Sequence, residues 1–294
     1  MYEIIWQYDD KEPFEEILPA DAAEARRLLV EGNRTFARFF QPQRDDETKR
    51  QIVRVSPQEV GLSGTPGEAP TQEPFAAFLS CADARVPVEM IFGQRANDLF
   101  VVRVAGNVLG SEVIGSLDYA VDHLHTVRLL GVLGHTGCGA VAAAVDAYLT
   151  PAGYLGVAAN LPLQSIVSSL MAPVRGAAYA LRIVHGDRVV NRPGYRQALI
   201  ETTVILNTAL SAAVLVHNFH EALGSTFQVL FGVYDLSHRV VGLPSITAGD
   251  DWIEGLFAPP TDQAGFDAFG RRIAASQFIS KLLGKRRKDS IPPE

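Results

Sequence analysis

Two short runs carry residue types that bind metal ions. Cys81-Ala82-Asp83-Ala84-Arg85 follows the apolar run FAAFLS, and Gly134-His135-Thr136-Gly137-Cys138-Gly139 follows a second, VRLLGVL. If these runs are neighbouring parallel strands, both clusters lie at the carboxyl edge where α/β sheets present ligands. Cys81, His135 and Cys138 then form a set of two thiolates and one imidazole, which suits Zn2+ best. His and Cys three positions apart can both face one ion because the flanking glycines let the backbone bend. Three ligands leave a fourth tetrahedral position for water, as in catalytic rather than structural zinc sites. A structural site would want a fourth Cys or His, and the chain has 2 Cys in all.

Asp83 and Arg85 lie just beyond the first ligand. A carboxylate near Zn2+ tends to become its fourth ligand, whereas one gripped by a guanidinium fork can accept a hydrogen bond from bound water. Plainer readings exist for each residue alone. A lone cysteine is usually a small core hydrophobe, two can form a disulfide in a secreted protein, and an Asp–Arg pair is usually a surface salt bridge. The co-occurrence of both motifs favours the metal reading. His217, His220 and Glu221 share a helix face without a third partner spaced to help, so they read as surface or packing residues, as do His123 and His125. Gly106 and Asn107 read as a backbone turn.

The elements that must position these residues form an α/β pattern. FAAFLS, DLFVVRV, VRLLGVLG and TFQVLFGVYD are short apolar runs suited to a mostly parallel central β-sheet, and SEVIGSLDYAVDHLH and GAVAAAVDAYL have helical spacing for its crossovers. Residues 21–40 place Leu28, Leu29, Phe36, Phe39 and Phe40 behind a capping Asp21, an amphipathic helix. Residues 41–74 read as a surface connection with no core. The prolines at 151, 162, 173 and 193 interrupt 151–200, which is either an insertion or part of the core, and 196–223 reads as a long buried helix. A Pro-rich turn, an amphipathic stretch from Phe266 to Leu283 and the basic, solvated KRRKDSIPPE close the chain. The expected organisation is an N-terminal helical arm and linker at 1–74, a zinc-binding α/β core at 75–244, and a C-terminal extension at 245–294.

A formal net charge of −7 gives no basic field for nucleic acid or anionic lipid. The apolar stretches, Val127–Gly134 among them, read as shorter than the ~20 residues of a membrane-spanning helix. The beginning MYEIIWQYDDKEPFEE lacks a basic region followed by an apolar one. The expectation is a cytoplasmic protein without a nucleic-acid or membrane partner, a bacterial microcompartment remaining open.

With these motifs in hand, the chain resembles β-class carbonic anhydrases over roughly residues 24–243. EGNRTF at 31–36, Cys-x-Asp-x-Arg, VPVEMIFGQRANDLFVVRVAGNV, GSLDYAVDHL, Gly-His-x-x-Cys-Gly and FGVYDLSHRVVGL occur in the family's order. The resemblance implies one Zn2+ per chain on Cys81, His135 and Cys138, an Asp83–Arg85 catalytic dyad, and reversible hydration of carbon dioxide to bicarbonate by metal-held hydroxide. It implies substrate contacts from Gln72 and the Gly139 N–H, Gln72 acting across the interface of a homodimer or larger homo-oligomer. It also implies that Asp83 can swing onto zinc. A zinc centre with two thiolates is a weaker Lewis acid than one with three imidazoles, so activity is expected to rise on the alkaline side. Carbonyl sulfide or carbon disulfide hydrolysis, and a non-catalytic zinc scaffold, are the alternatives. Ala82 and Ala84 stand where the family often has serine.

Overall fold

The computed structural model describes residues 2–8, 18–40, 49–55, 69, 71–150, 152, 160–246 and 252–284. Strands β3 (Ala76–Ser80), β4 (Leu99–Arg103), β5 (Leu129–His135), β6 (Gln228–Tyr234), β7 (Val241–Pro244) and β8 (Trp252–Glu254) form a six-stranded sheet of order β4-β3-β5-β6-β7-β8. The first four are parallel, and β7 and β8 add on antiparallel. β3 and β5 are buried throughout, the pattern of central parallel strands covered on both faces. The helices α2 (Val88–Ile91), α3 (Ser111–His123) and α4 (Gly139–Leu149) follow β3, β4 and β5. The expected mostly parallel α/β sheet is therefore present.

Helix α1 (Ala22–Phe39) begins where the sequence places it. Asp21 Oδ1 accepts from Glu24 N–H at 2.9 Å, and Glu24 Oε2 accepts from Ala20 N–H at 2.9 Å, a reciprocal cap. Its buried stripe runs through Ala25, Leu29 and the polar Asn33. Asn33 Nδ2 donates to Ile91 O and Arg239 O, both at 3.1 Å, and its Oδ1 accepts from Val241 N–H at 2.7 Å. Beside it, a Cβ on Gly32 would lie 1.8 Å from Phe92 O, so only glycine allows helix and loop to approach. These contacts give a physical reason for the Gly-Asn pair in EGNRTF.

The reading of 41–74 as a surface connection needs correction. Residues Lys49–Val55 form β2, which pairs parallel with β1 (Tyr2–Tyr8) in a separate two-stranded sheet. The charges of KRQIVRV masked a strand whose Ile52, Val53 and Val55 are β-branched. Most of GLSGTPGEAPTQEP lies outside the described residues.

Two prolines of 151–200 start helices rather than break them, Pro193 lies in a turn, and Pro151 is outside the described residues. Pro162 sits in the first turn of α5 (Leu161–Ser169), capped by Asn160, and Pro173 in the first turn of α6 (Met171–His185). Val167, Leu170, Val174, Ala177 and Leu181 join the main hydrophobic core. Helix α7 (Tyr195–Asn218) matches the expected long buried helix with slightly shorter bounds. By length and composition it could cross a membrane, which the apolar-stretch reading overlooked, but 78% of its most apolar stretch is buried inside the protein. Its Thr202, Thr203 and Thr208 hydroxyls donate to the carbonyls of Ala198, Leu199 and Val204, which lets polar residues enter the core.

The amphipathic stretch from Phe266 divides into α8 (Gln263–Ala274) and α9 (Gln277–Gly284), since Ser276 Oγ accepts from Ile279 N–H and starts a new helix. Phe269, Ile273, Ile279 and Leu283 share one core with α6 and α7, and β8 extends the sheet. Helix α1, through Ala25 and Leu29, and the helices of 263–284 thus pack onto the α/β core, while β1 and β2 form their own sheet. KRRKDSIPPE, at 285–294, lies outside the described residues.

Asn33→Leu would strand three buried backbone groups and is expected to cost roughly 2–4 kcal/mol in chemical denaturation. Gly115→Ala, at an exposed helical site with open space around it, should be neutral or stabilise by up to about 1 kcal/mol. Equal midpoints for the two variants would contradict the stitching role of Asn33.

Candidate metal centre

β3 and β5 are direct parallel neighbours, with Ser80 opposite Leu133, so Cys81 and His135 leave adjacent carboxyl ends of the sheet. Cys138 caps the N-terminus of α4 at the far side of the same turn. Cys81 Sγ and Cys138 Sγ are 3.9 Å apart, and the three candidate ligand atoms lie within 4.8 Å of one another. Zn–S bonds of about 2.3 Å in a tetrahedron separate two sulfurs by about 3.8 Å. The spacing therefore fits one ion without rearranging the thiols. Both cysteines are free and buried, not disulfide-bonded.

His135 supplies the sharper test of fit. Its Nδ1 lies 3.0 Å from Thr136 O, a contact that needs the proton on Nδ1 and leaves the Nε2 lone pair open. Nε2 is buried and has no hydrogen-bond partner among the described residues. An orphaned acceptor beside two thiols is the arrangement a metal ion satisfies.

The thiols are electrostatically coupled. The Cys138 S–H stabilises a Cys81 thiolate and draws the Cys81 thiol well down against the opposing effect of burial, with the Asp83 and Gly106 N–H groups helping. Cys138 is pushed up, first by that shared hydrogen bond, then by burial and by repulsion from Cys81, while the Val141 and Ala140 N–H groups of the helix end pull it down. One proton leaves easily and the second is held. A divalent cation removes the penalty on two adjacent anions.

Asp83 and Arg85 form a fork. Arg85 Nε and Nη2 donate to Oδ1 and Oδ2 at 3.0 and 2.7 Å, and the Arg85 backbone N–H donates to Oδ1 at 2.9 Å. The guanidinium holds the Asp83 carboxyl well below the usual carboxylate range. Asp83 Oδ2 stands 3.8 Å from His135 Nε2, within reach of anything held among the three ligand atoms.

Several supporting residues escaped the sequence reading. Arg103, at the end of β4, donates to the carbonyls of Cys81, at 3.0 Å, and of Asp83, fixing the loop that carries both. Gly106 N–H approaches Cys81 Sγ at 3.4 Å, and the Asn207 amide holds Gly106 O at 2.8 Å. Thr136 donates to the buried Asp235 at 3.2 Å, and Glu201 accepts from Gly137 N–H. Position at a strand's carboxyl end was a usable signal for Arg103 and Asp235. Asn207 and Glu201 had none beyond being polar residues in an apolar helix.

The structure does not gather every candidate. Gln72 is exposed, in a segment pinned by Asn97 to Thr71 O and Glu73 N–H, and makes no hydrogen bond to the cluster among the described residues. Gly139 opens α4 directly after Cys138, exposed, with free space around it. His217 and His220 stack at 6.2 Å on an exposed helix end, and His123 packs on Tyr119, so neither pair joins the centre. Gly106 and Asn107 form the expected turn, with φ of 66° and 44°.

A family model described as carbonic anhydrase matches residues 76–184. Over 92 residues the chain is 50% identical to carbonic anhydrase 2 of Mycobacterium tuberculosis, covering 30% of this chain and 44% of that protein. Over 87 residues it is 46% identical to a carbonic anhydrase of Mycolicibacterium smegmatis, covering 29% and 42%. The chain thus spans less than half the length of these curated relatives. A tetrameric β-carbonic anhydrase structure from Sordaria macrospora aligns over 58% of this chain and 80% of its own at 22% identity, with a TM-score of 0.44. The matched segment 76–184 holds all three candidate ligands, Cys81, His135 and Cys138.

Burial pushes the Glu201 carboxyl up to about 7 from 4.5, so the folded chain keeps a proton that the unfolded chain loses near pH 4.5. The carboxyl's contribution to stability is full below pH 4.5 and is lost as pH rises to about 7, on the order of 3 kcal/mol. In urea melts of metal-free protein, wild type should lose stability relative to Glu201→Gln across that window. Parallel pH profiles would contradict the shift.

Proposed function

We propose that the chain binds one Zn2+ through Cys81, His135 and Cys138 and reversibly hydrates carbon dioxide to bicarbonate and a proton. The observation that carries this reading is the buried His135 Nε2, without a hydrogen-bond partner among the described residues, facing two thiols 3.9 Å apart, with the arginine-held Asp83 carboxylate beside it. Zinc bound there would supply Lewis acidity, making a coordinated solvent molecule acidic near neutral pH.

The chain's own residues then have definable tasks. Asp83 accepts a hydrogen bond from the reacting solvent and turns its lone pair toward carbon dioxide. Arg85 fixes the carboxylate through two parallel bonds and so keeps it from taking the ligand position. Arg103 fixes the backbone on which Cys81 and Asp83 sit, which limits how far either can drift. The Gly139 N–H, at a helix start, is a donor for a substrate oxygen. Gln72 is a second donor, and its exposure suits delivery across a homodimer interface, alone or within a larger homo-oligomer. A cytoplasmic location accords with the acidic charge and free thiols.

Metal analysis paired with stopped-flow hydration tests the reading. Wild type should carry about one zinc per chain and hydrate carbon dioxide faster as pH rises from about 6 to 9. Cys138→Ala should lose both metal and activity. Arg85→Ala should keep its zinc while losing activity by about 100-fold or more. Zinc-replete wild type that releases sulfide from carbonyl sulfide but leaves carbon dioxide untouched would move the substrate assignment. Zinc-replete wild type inactive on both would overturn the enzymatic reading.

A further inference from the structure

Glu201 is 3% exposed, on a long helix that is buried along most of its length. Both its oxygens face one donor, the Gly137 N–H, at 3.2 and 3.3 Å, and the Gln197 amide donates to Oε1 at 2.6 Å. Burying a carboxyl group is costly, and an apolar side chain of similar size would serve packing better. The group it contacts is not arbitrary. Gly137 takes φ +67°, the left-handed bend that separates His135 from Cys138. That bend carries the chain from His135, at the end of β5, to Cys138, at the start of α4.

Helix α7 holds the centre from beneath at further points. Gly134 packs so closely on Thr208 that a Cβ would lie 2.1 Å from its hydroxyl oxygen. Asn207 holds Gly106 O, the carbonyl of the residue whose N–H approaches Cys81 Sγ. Glu201 and Thr208 thus tie one helix to the segment that leads to Cys138, and Asn207 ties it to the turn whose Gly106 N–H meets Cys81 Sγ.

We infer that Glu201 is a positioning residue for the metal centre: its carboxyl oxygen anchors Gly137 N–H and holds the His-Thr-Gly-Cys turn in the shape that lets His135 and Cys138 bind one ion. The inference rests on the zinc reading and deepens it. The role requires an acceptor oxygen at the right height and does not require a charge. Glutamine at this site keeps the oxygen in place, whereas aspartate keeps the acid but withdraws it by one methylene.

The test is zinc affinity, by competition with a chromophoric chelator, for wild type, Glu201→Gln and Glu201→Asp, together with the Co2+-substituted absorption spectrum. The expected result is Glu201→Gln within about threefold of wild type and Glu201→Asp weaker by about 10- to 100-fold, the range for residues that orient metal ligands. The thiolate-to-cobalt band should move in Glu201→Asp and stay in Glu201→Gln. The inference is overturned if all three proteins bind zinc equally with the same cobalt spectrum, or if the ranking reverses so that Asp substitutes and Gln does not. Thermal unfolding of the metal-free proteins separates a general loss of stability, which lowers the melting temperature without altering the cobalt band. A wild type that binds no zinc instead removes the metal reading itself, an outcome distinct from equal affinities across the series.

Discussion

Two thiols 3.9 Å apart in a buried setting cannot both ionise unless a cation joins them, and this charge constraint organises the rest of the centre. Cys81 yields its proton at the expense of Cys138, and the His135 Nε2, without a hydrogen-bond partner among the described residues, completes the set of three donor atoms. The sheet brings them together. Parallel pairing of β3 with β5 sets Ser80 opposite Leu133, so that Cys81 follows one strand end and His135 closes the other, and β6 alongside β5 brings Asp235 to Thr136. The ligands are therefore placed by strand register, and their orientation by hydrogen bonds from neighbouring loops.

The carboxylate beside the site shows how small differences in holding decide chemistry. Asp83 is near enough to compete for a metal ion, and Arg85 occupies both of its oxygens. The backbone is secured separately: Arg103 clasps the carbonyls of Cys81 and Asp83, and Asn33, at the other face of the sheet, clasps the loops near Ile91 and Arg239. Orientation thus comes from polar groups anchored in apolar layers, where water does not compete for them.

Much of this was legible in sequence because it depends on local rules. Strand runs ending at Ser80 and Leu133 and glycines around His135 announced both the edge of the sheet and the ligands. The carboxylate–arginine spacing at 83 and 85 was equally plain. What escaped depends on tertiary proximity. Strand β2 was hidden by Lys49, Arg50 and Arg54, and its partner lies at the other end of a long connection. Pro162 and Pro173 looked like interruptions because their use as helix starts is visible only once Asn160 is seen to cap. Helix α7 reads from sequence as a long buried helix, and the apolar-stretch reading missed that it is also long and apolar enough to cross a membrane; its faces pack against α6, β5 and β6. Glu201 and Asn207 contact loops 64 and 101 residues distant, and no periodicity encodes that.

The most direct measurement of the central claim is X-ray absorption at the zinc K-edge of the purified wild-type protein. The account predicts two sulfur scatterers at about 2.3 Å and light scatterers at about 2.0–2.1 Å that include one imidazole, with both sulfur contributions reduced to one in Cys81→Ser. A zinc shell without sulfur, or one whose sulfur count is unchanged in Cys81→Ser, would contradict it.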